Sequence, residues 1–346
     1  MDARTTRRVA SRAIAHVQTR RPILLEQPAA VSPSPVAVVG AGSIGLAWAI
    51  VFAAAGHRVW LIEPDPERRR AAAGELTRRL EDLARFGLAT ADPRTVLAGI
   101  EITNDQANAV SGAAYVQECV PEDLDLKRRL FAQLDAQAAA GVPLVSSSSF
   151  LPASAFAAEL PGRSRCLVAH PGNPPTLLRV VEVVPAPFTD PQVADACEAL
   201  LHAAGMQPVR LRKEVAGFVF NRLQGAVLRE AYCLVRDGVV SAAEIDRVMT
   251  AGLGLRWAVV GPFETADLNS RGGIAGHAAR MGPAYARMGA ERGQHDPWTP
   301  DLVAQVTAER RAALSLDDWD DRVAWRDRML MALLRARREQ ERTQAP

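Results

Sequence analysis

From Val36 onward the chain alternates short, Val-rich apolar runs with longer stretches whose apolar residues recur at helical spacing. VAVVG (36–40) leads into a helix through Ala55, and RVWLIE (58–63) leads into a long Arg/Glu/Leu helix from Pro66 to about Phe86. EITN (101–104), YVQECV (115–120) with the helix LKRRLFAQLDAQ behind it, PLVSSSS (143–149), CLVAH (166–170) and VVEVVP (180–185) continue the series. Continuous apolar strands separated by helices predict a parallel sheet covered on both faces, that is, an α/β fold with a doubly wound Rossmann-type domain. Past Gln207 the strand signal fades after PVRL. In GFVFNRLQGAVLREAYCLV the residues Val219, Leu223, Val227, Ala231 and Leu234 recur at spacings of three and four, which makes one helical apolar stripe. Helical texture continues to WRDRMLMALLRARRE, and no internal repeat of solenoid period is present. The predicted organisation is a basic, disordered arm over 1–34, the sheet domain over 35–211, an all-α C-terminal domain over 212–336 and a charged tail over 337–346.

Composition narrows the function classes. At 346 residues and 48% hydrophobic the chain can fill a large core, and 41 Lys+Arg against 39 Asp+Glu leave a formal charge of +2. That balance gives no nucleic-acid surface outside the first twenty or so residues. No apolar run approaches the roughly 20 residues of a membrane span, and no signal-peptide core is evident. Cys119, Cys166, Cys197 and Cys233 form no CxxC pair and sit in apolar stretches, which predicts reduced core thiols, no zinc and a cytoplasmic location. The Arg/Ala/Ser-rich arm reads either as an organelle transit peptide or as a solvated arm; Asp2 and Glu26 interrupt it and favour the second.

Gly40, Gly42 and Gly45 stand between the first apolar strand and an Ala-rich helix, and Glu63 closes the next strand. In that context a GxGxxG spacing is a dinucleotide-binding fingerprint. Gly40 allows the tight turn, Gly42 lets backbone approach a pyrophosphate, and Gly45 lets helix and strand pack closely. Ser43 and Ile44 lie between the second and third glycines, where the helix start offers unpaired N–H groups and a positive dipole end. Glu63 would accept hydrogen bonds from ribose hydroxyls and repel a 2′-phosphate, which selects NAD over NADP. Arg68, Arg69 and Arg70 read as a helix-surface charge run, with a 2′-phosphate contact as the alternative.

The segments QECVPEDLDLKRRLFAQLD (117–135), VSSSSF (145–150), AHPGNPP (169–175), VVEVVP (180–185) and GFVFNRLQ (217–224) follow in order. In this order and spacing the chain resembles the 3-hydroxyacyl-CoA dehydrogenase superfamily, and within it the L-gulonate 3-dehydrogenase (lambda-crystallin) branch, from about Val36 to about Gly273. The resemblance implies that His170 is the general base and that Glu182 orients its imidazole. It implies that Ser149 and Asn221 hydrogen-bond the reacting oxygen, and that Glu122 and Lys127 line the cofactor site. Ser146 to Ser149 leave a one-residue ambiguity; Ser149 keeps the spacing to Lys127 and His170 in step. The chemistry suits these residue types: a secondary alcohol needs a base poised near neutrality, and a carboxylate on the second ring nitrogen raises basicity and fixes orientation. The plainer readings are a satisfied core histidine at a strand end and a strand glutamate paired with Arg179.

For the substrate, LTRRLEDLARFGLATADP carries only scattered arginines where the acyl-CoA members carry a lysine-rich segment, which points away from CoA. GLGLRWAVVGPFETADLN (252–269) resembles the gulonate branch, and Arg256 is either a fork for a free carboxylate or part of a surface or subunit salt bridge. Asn269 and Ser270 are of a residue type that addresses sugar-acid hydroxyls. Gly172 departs from the family pattern, which has a larger residue beside the base. The resulting expectation is NAD-dependent oxidation of the 3-hydroxyl of a small L-3-hydroxy acid. The alternatives are a short-chain L-3-hydroxyacyl-CoA dehydrogenase and a non-catalytic NAD-binding structural protein. The resemblance also implies a homodimer through the helical domain, and a two-domain arrangement is expected to hold the substrate in the cleft between the sheet's C-terminal edge and the C-terminal substrate and dimerisation domain.

Overall fold

The computed structural model describes residues 33–293 and 299–319, with isolated residues between 321 and 339. The 1–34 arm and the 337–346 tail fall almost wholly outside the described residues. Two units divide between Ala226 and Val227.

The first unit runs β1 (Val36–Val39), α1 (Ser43–Ala54), β2 (Val59–Ile62), α2 (Pro66–Arg85), α3 (Pro93–Ala98), β3 (Ile100–Thr103), α4 (Gln106–Ser111), β4 (Tyr115–Glu118), α5 (Leu124–Gln137), β5 (Leu144–Ser146), α6 (Ala153–Ala157), β6 (Cys166–Pro171), β7 (Val180–Pro185), α7 (Pro191–Ala203) and β8 (Gln207–Arg210). Asp65, Asp92, Asp105, Asp123 and Asp190 start α2, α3, α4, α5 and α7, each side chain accepting from a backbone N–H of the first turn. The eight strands form one sheet in the order β3-β2-β1-β4-β5-β6-β7-β8. Reversal of strand order at β1 and β4 is the doubly wound topology, and it opens the crevice above the carboxyl ends of those strands.

The predicted all-parallel sheet is corrected at one edge. β7 pairs antiparallel to β6, and β8 then runs parallel to β7. The connection over 172–179 is too short for a crossover helix, so the chain can only turn back on itself. This reversal sets Ala169 opposite Val183 and His170 opposite Glu182.

The core lies on both sheet faces. α1 is apolar around its whole circumference, and Leu46, Trp48 and Phe52 are fully buried, with Trp48 and Phe52 stacked at 5.2 Å. On the other face Phe131 and Phe156 pack at 4.5 Å beneath Val116 and Val168. One ion pair is sealed inside: Lys127 Nζ lies 2.9 Å from Glu118, and the two side chains are 1% and 0% exposed. Ser146 Oγ also donates to Glu118. Burial pushes the Glu118 carboxyl up, against the opposing pull of Lys127, Ser146 and the Val120 N–H.

α8 (Phe220–Arg236) crosses the division between the units. The second unit continues with α9 (Ala242–Val248), a π-helical turn (Met249–Leu253), α10 (Gly254–Trp257), α11 (Pro262–Leu268), α12 (Gly273–Glu291) and α13 (Pro300–Ala313). Ser241 and Glu244 form a capping box at the start of α9, and Asp267, fully buried, accepts from the Ile274 N–H between α11 and α12.

Removing one member of the buried pair strands the other. Lys127→Met is expected to lower stability by about 3 kcal/mol, roughly 6–12 °C in the melting temperature, and Lys127→Met with Glu118→Gln to recover part of it, as followed by calorimetry.

Candidate active site

The glycine loop is shaped by two contacts that no larger residue would permit. Gly40 has φ +102°, and a Cβ there would lie 3.0 Å from the Cys119 carbonyl oxygen. A Cβ on Gly45 would lie 1.8 Å from the Gly40 carbonyl oxygen, so the first turn of α1 rests on the end of β1. Gly42, the N-cap of α1, has open space beside it and no side-chain cap bond. An uncapped helix start facing open space, with Ser43 and Ile44 as the first helical residues, fits a dinucleotide pyrophosphate. Glu63 is held at the loop: its carboxylate accepts from the Ala41 N–H and from the Asp65 N–H, each at 3.0 Å.

Arginines of α2 fasten the same loop, and sequence reasoning gave them no such place. Arg68 donates to the Ala41 carbonyl and to Glu75, and Arg69 donates to the carbonyls of Glu63 and Pro64. Arg79 donates to Ser43 Oγ at 3.1 Å and to the Ser43 carbonyl at 2.9 Å. The signal available was their number on one helix, which also describes a solvated face.

On the antiparallel edge, His170 Nδ1 and Glu182 Oε2 are 2.8 Å apart, with the residues 6% and 3% exposed. Glu182 therefore pairs with His170, as its register position requires, and not with Arg179. Its other oxygen accepts from the N–H groups of Val219 and Phe220, at 2.7 and 3.0 Å. Those N–H groups are presented by a turn in left-handed backbone, with Gly217 at φ +75° and Phe218 at φ +49°. Since an ionised carboxylate only accepts, Nδ1 is the donor in this contact and Nε2 is the ring nitrogen left free of it. The rings of Phe218 and Phe220 stand 5.6 and 6.2 Å from the imidazole. A Cβ on Gly172 would lie 2.9 Å from Leu178 Cβ, so the 172–179 connection folds tightly against the backbone beside the histidine.

The four serines divide their work. Ser146 bonds Glu118; Ser147 Oγ meets Trp48 Nε1 and Gln117 Nε2; Ser148 Oγ donates to Glu122. The hydroxyl of Ser149 has no hydrogen bond among the described residues, while its carbonyl accepts from Asn221 Nδ2 at 2.9 Å. Ser149 and Asn221 are thus brought together, whereas Lys127 faces inward to Glu118. Glu122 gathers the N–H groups of Phe150 and Leu151 at 3.0 and 2.9 Å and so shapes the loop that carries Ser149. Arg256 belongs to the second unit, on α10, where its Nε has no hydrogen-bond partner among the described residues.

A dinucleotide loop with an acid at the end of β2, on one sheet with a buried imidazole–carboxylate pair, defines an NAD-dependent dehydrogenase acting on CH–OH donors. The 3-hydroxyacyl-CoA dehydrogenase NAD binding domain matches residues 35–215, and the 3-hydroxyacyl-CoA dehydrogenase C-terminal domain matches residues 217–314. The chain belongs to the 3-hydroxyacyl-CoA dehydrogenase family. It is 41% identical over 320 residues to a lambda-crystallin homolog of Bos taurus, covering 89% of this chain and 97% of that one. It is 38% identical over 313 residues to an L-carnitine dehydrogenase of Streptomyces griseus, covering 87% and 89%. A 3-hydroxyacyl-CoA dehydrogenase of Archaeoglobus fulgidus superposes with a TM-score of 0.66 at 25% identity, covering 87% of this chain and 99% of that one. Among the described residues no helix is long and apolar enough to cross a membrane.

Burial raises the Glu122 carboxyl, but hydrogen bonds from Ser148, Leu151 and Phe150 and the charge of Lys127 outweigh it and hold it below the usual carboxylate range. A depressed folded value means that its contribution to stability is complete above the unfolded value and is lost as pH falls through the folded one. The melting-temperature gap between the parent and Glu122→Gln is therefore expected to be widest above the ordinary glutamate value of about 4.3 and to close as pH falls through the lowered folded value.

Proposed function

We propose that the chain oxidises the 3-hydroxyl of an L-3-hydroxy acid, a free acid of the L-gulonate kind, to the 3-keto acid, with His170 as general base. The observation that carries this reading is the buried 2.8 Å contact between His170 Nδ1 and Glu182. Bound NAD supplies the hydride acceptor. His170 Nε2 takes the hydroxyl proton, and Glu182 holds the ring in that tautomer and stabilises the imidazolium as it forms. The unbonded hydroxyl of Ser149 and the amide of Asn221 are available to the reacting oxygen as its charge develops. Similarity to an L-carnitine dehydrogenase supports a free acid, carnitine being itself a 3-hydroxy acid. A thioester is the competing substrate, supported by the archaeal 3-hydroxyacyl-CoA dehydrogenase. Four free cysteines, of which Cys166 and Cys197 are buried with their thiols pushed up to about 12, suit a reducing cytosol.

The helical domain pairs with a second copy through α8. No residue of that helix is buried, although its apolar positions form a stripe that begins at Val219, just before the helix: Val219 is 44% exposed and Leu223 is 58% exposed. An amphipathic helix with its apolar face in water is unfavourable, and a two-fold partner offers the same face in return.

NAD reduction measured side by side with L-gulonate, 3-hydroxybutyrate and 3-hydroxybutyryl-CoA is expected to favour a free acid; turnover on the thioester alone retires that choice. His170→Ala is expected to lower kcat by about 10²–10⁴-fold while NADH binding persists; a variant turning over at the parent rate removes His170 from its role. By light scattering the parent is expected at twice the chain mass and Leu223→Asp at the chain mass, whereas a monomeric parent rejects the pairing.

A further inference from the structure

α2 carries six arginines, and most of them are answered within the first unit. Arg68, Arg70 and Arg85 face the carboxylates of Glu75, Glu67 and Asp82, and Arg69 is spent on the carbonyls of Glu63 and Pro64. Arg79 has no ion pair among the described residues. Its guanidinium reaches across to the first residue of α1 instead, 2.9 Å from the Ser43 carbonyl oxygen and 3.1 Å from Ser43 Oγ. Ser43 is exposed, and the space beside Gly42 is open.

Both acceptors on Ser43 are neutral, so they orient the guanidinium without neutralising it. A guanidinium also has more N–H donors than these bonds use. The glycine loop is thus flanked by unanswered charges of opposite sign. The Glu63 carboxylate, which accepts from the Ala41 and Asp65 N–H groups, has no ion pair among the described residues, and it stands where ribose hydroxyls are expected. Arg79 stands at the helix start, where the phosphates are expected. That start supplies roughly half a positive charge. Each phosphate of a dinucleotide carries a full negative one, so backbone alone leaves most of the charge unmatched.

We propose that Arg79 is a cofactor-binding residue, a countercharge held at Ser43 for the pyrophosphate of NAD. Its bonds to Ser43 fix the guanidinium beside the N–H groups of the first turn, so the anion meets a cation that needs little further ordering. The role goes beyond fastening the loop, because a bond to a carbonyl needs a donor but no charge. The inference concerns the dinucleotide and holds whichever acid is oxidised.

The full chain, titrated with NADH by fluorescence and with ADP-ribose by calorimetry, reads the contact without turnover. Arg79→Gln keeps a donor for the Ser43 carbonyl but loses the charge. It is expected to weaken both ligands about tenfold at low salt. At about 1 M sodium chloride, where screening reaches in to about 3 Å, that gap is expected to shrink. Arg79→Lys, which keeps the charge and loses the fork, is expected to recover most of the affinity at low salt. Should Arg79→Gln fail to fold, Arg79→Ala, the best helix former, carries the same expectation. Parent-level binding by the Gln variant, a loss of equal size at both salts, or a Lys variant no better than Gln would overturn the proposal. Because no hydroxy acid is present, a chain that fails to oxidise free acids yet shows these differences retires only the substrate reading, and the reverse result retires only the role of Arg79.

Discussion

The carboxylate of Glu182 ties three parts of the first unit to one point. It sits on β7, one oxygen faces the imidazole on β6, and the other collects two backbone N–H groups where the chain enters α8. A carboxylate at 3% exposure is tolerable only when both of its oxygens are bonded, and these three donors occupy three of its roughly four lone-pair sites. The arrangement depends in turn on the antiparallel edge, since the short 172–179 link sets His170 and Glu182 opposite each other without a crossover helix. It also depends on the left-handed turn at Gly217 and Phe218, which aims two consecutive N–H groups the same way.

The serine run shows how a rigid sheet presents a polar group at its edge. Passing out of β5, successive residues engage the sealed Lys127–Glu118 pair, then Trp48 and Gln117, then Glu122, before Ser149 is reached. Each bond removes freedom from the next residue. The hydroxyl left over is the one at the end, held by its backbone at both sides through Glu122 and Asn221.

Much of this was legible in the sequence, for identifiable reasons. The strand-to-helix alternation follows from continuous apolar runs, and the glycine loop follows from spacing that backbone sterics dictate, so β1, α1 and β2 lie where the pattern puts them. The His170–Glu182 pairing was readable because two strands with a short link carry one polar residue each. The direction of β7 was less plain, since apolar content is the same for parallel and antiparallel buried strands; only the missing helix before Val180 marked the reversal. Short helices such as α3, α4 and α6 escaped because their turns are too few to show a period. The inward placement of Lys127 escaped as well: its partner Glu118 lies in a strand whose alternation gives no sign of an ion pair. For Val219 and Leu223 the stripe was visible, but a period cannot say whether it packs inside its own chain.

The loop fastened by Arg68 and Arg69 bears on how the cofactor preference could be rewritten. On the sequence reading Glu63 repels a 2′-phosphate, and replacing it with a neutral residue is the obvious first step. Yet Arg68 and Arg69 are committed to the carbonyls of Ala41, Glu63 and Pro64. Deleting the acid alone would therefore remove an obstacle without providing an attractor, and would also take away the acceptor that steadies the Ala41 amide. A chain redesigned for the phosphorylated dinucleotide has to release one guanidinium from its scaffolding duty, or import another, while finding the turn a substitute anchor.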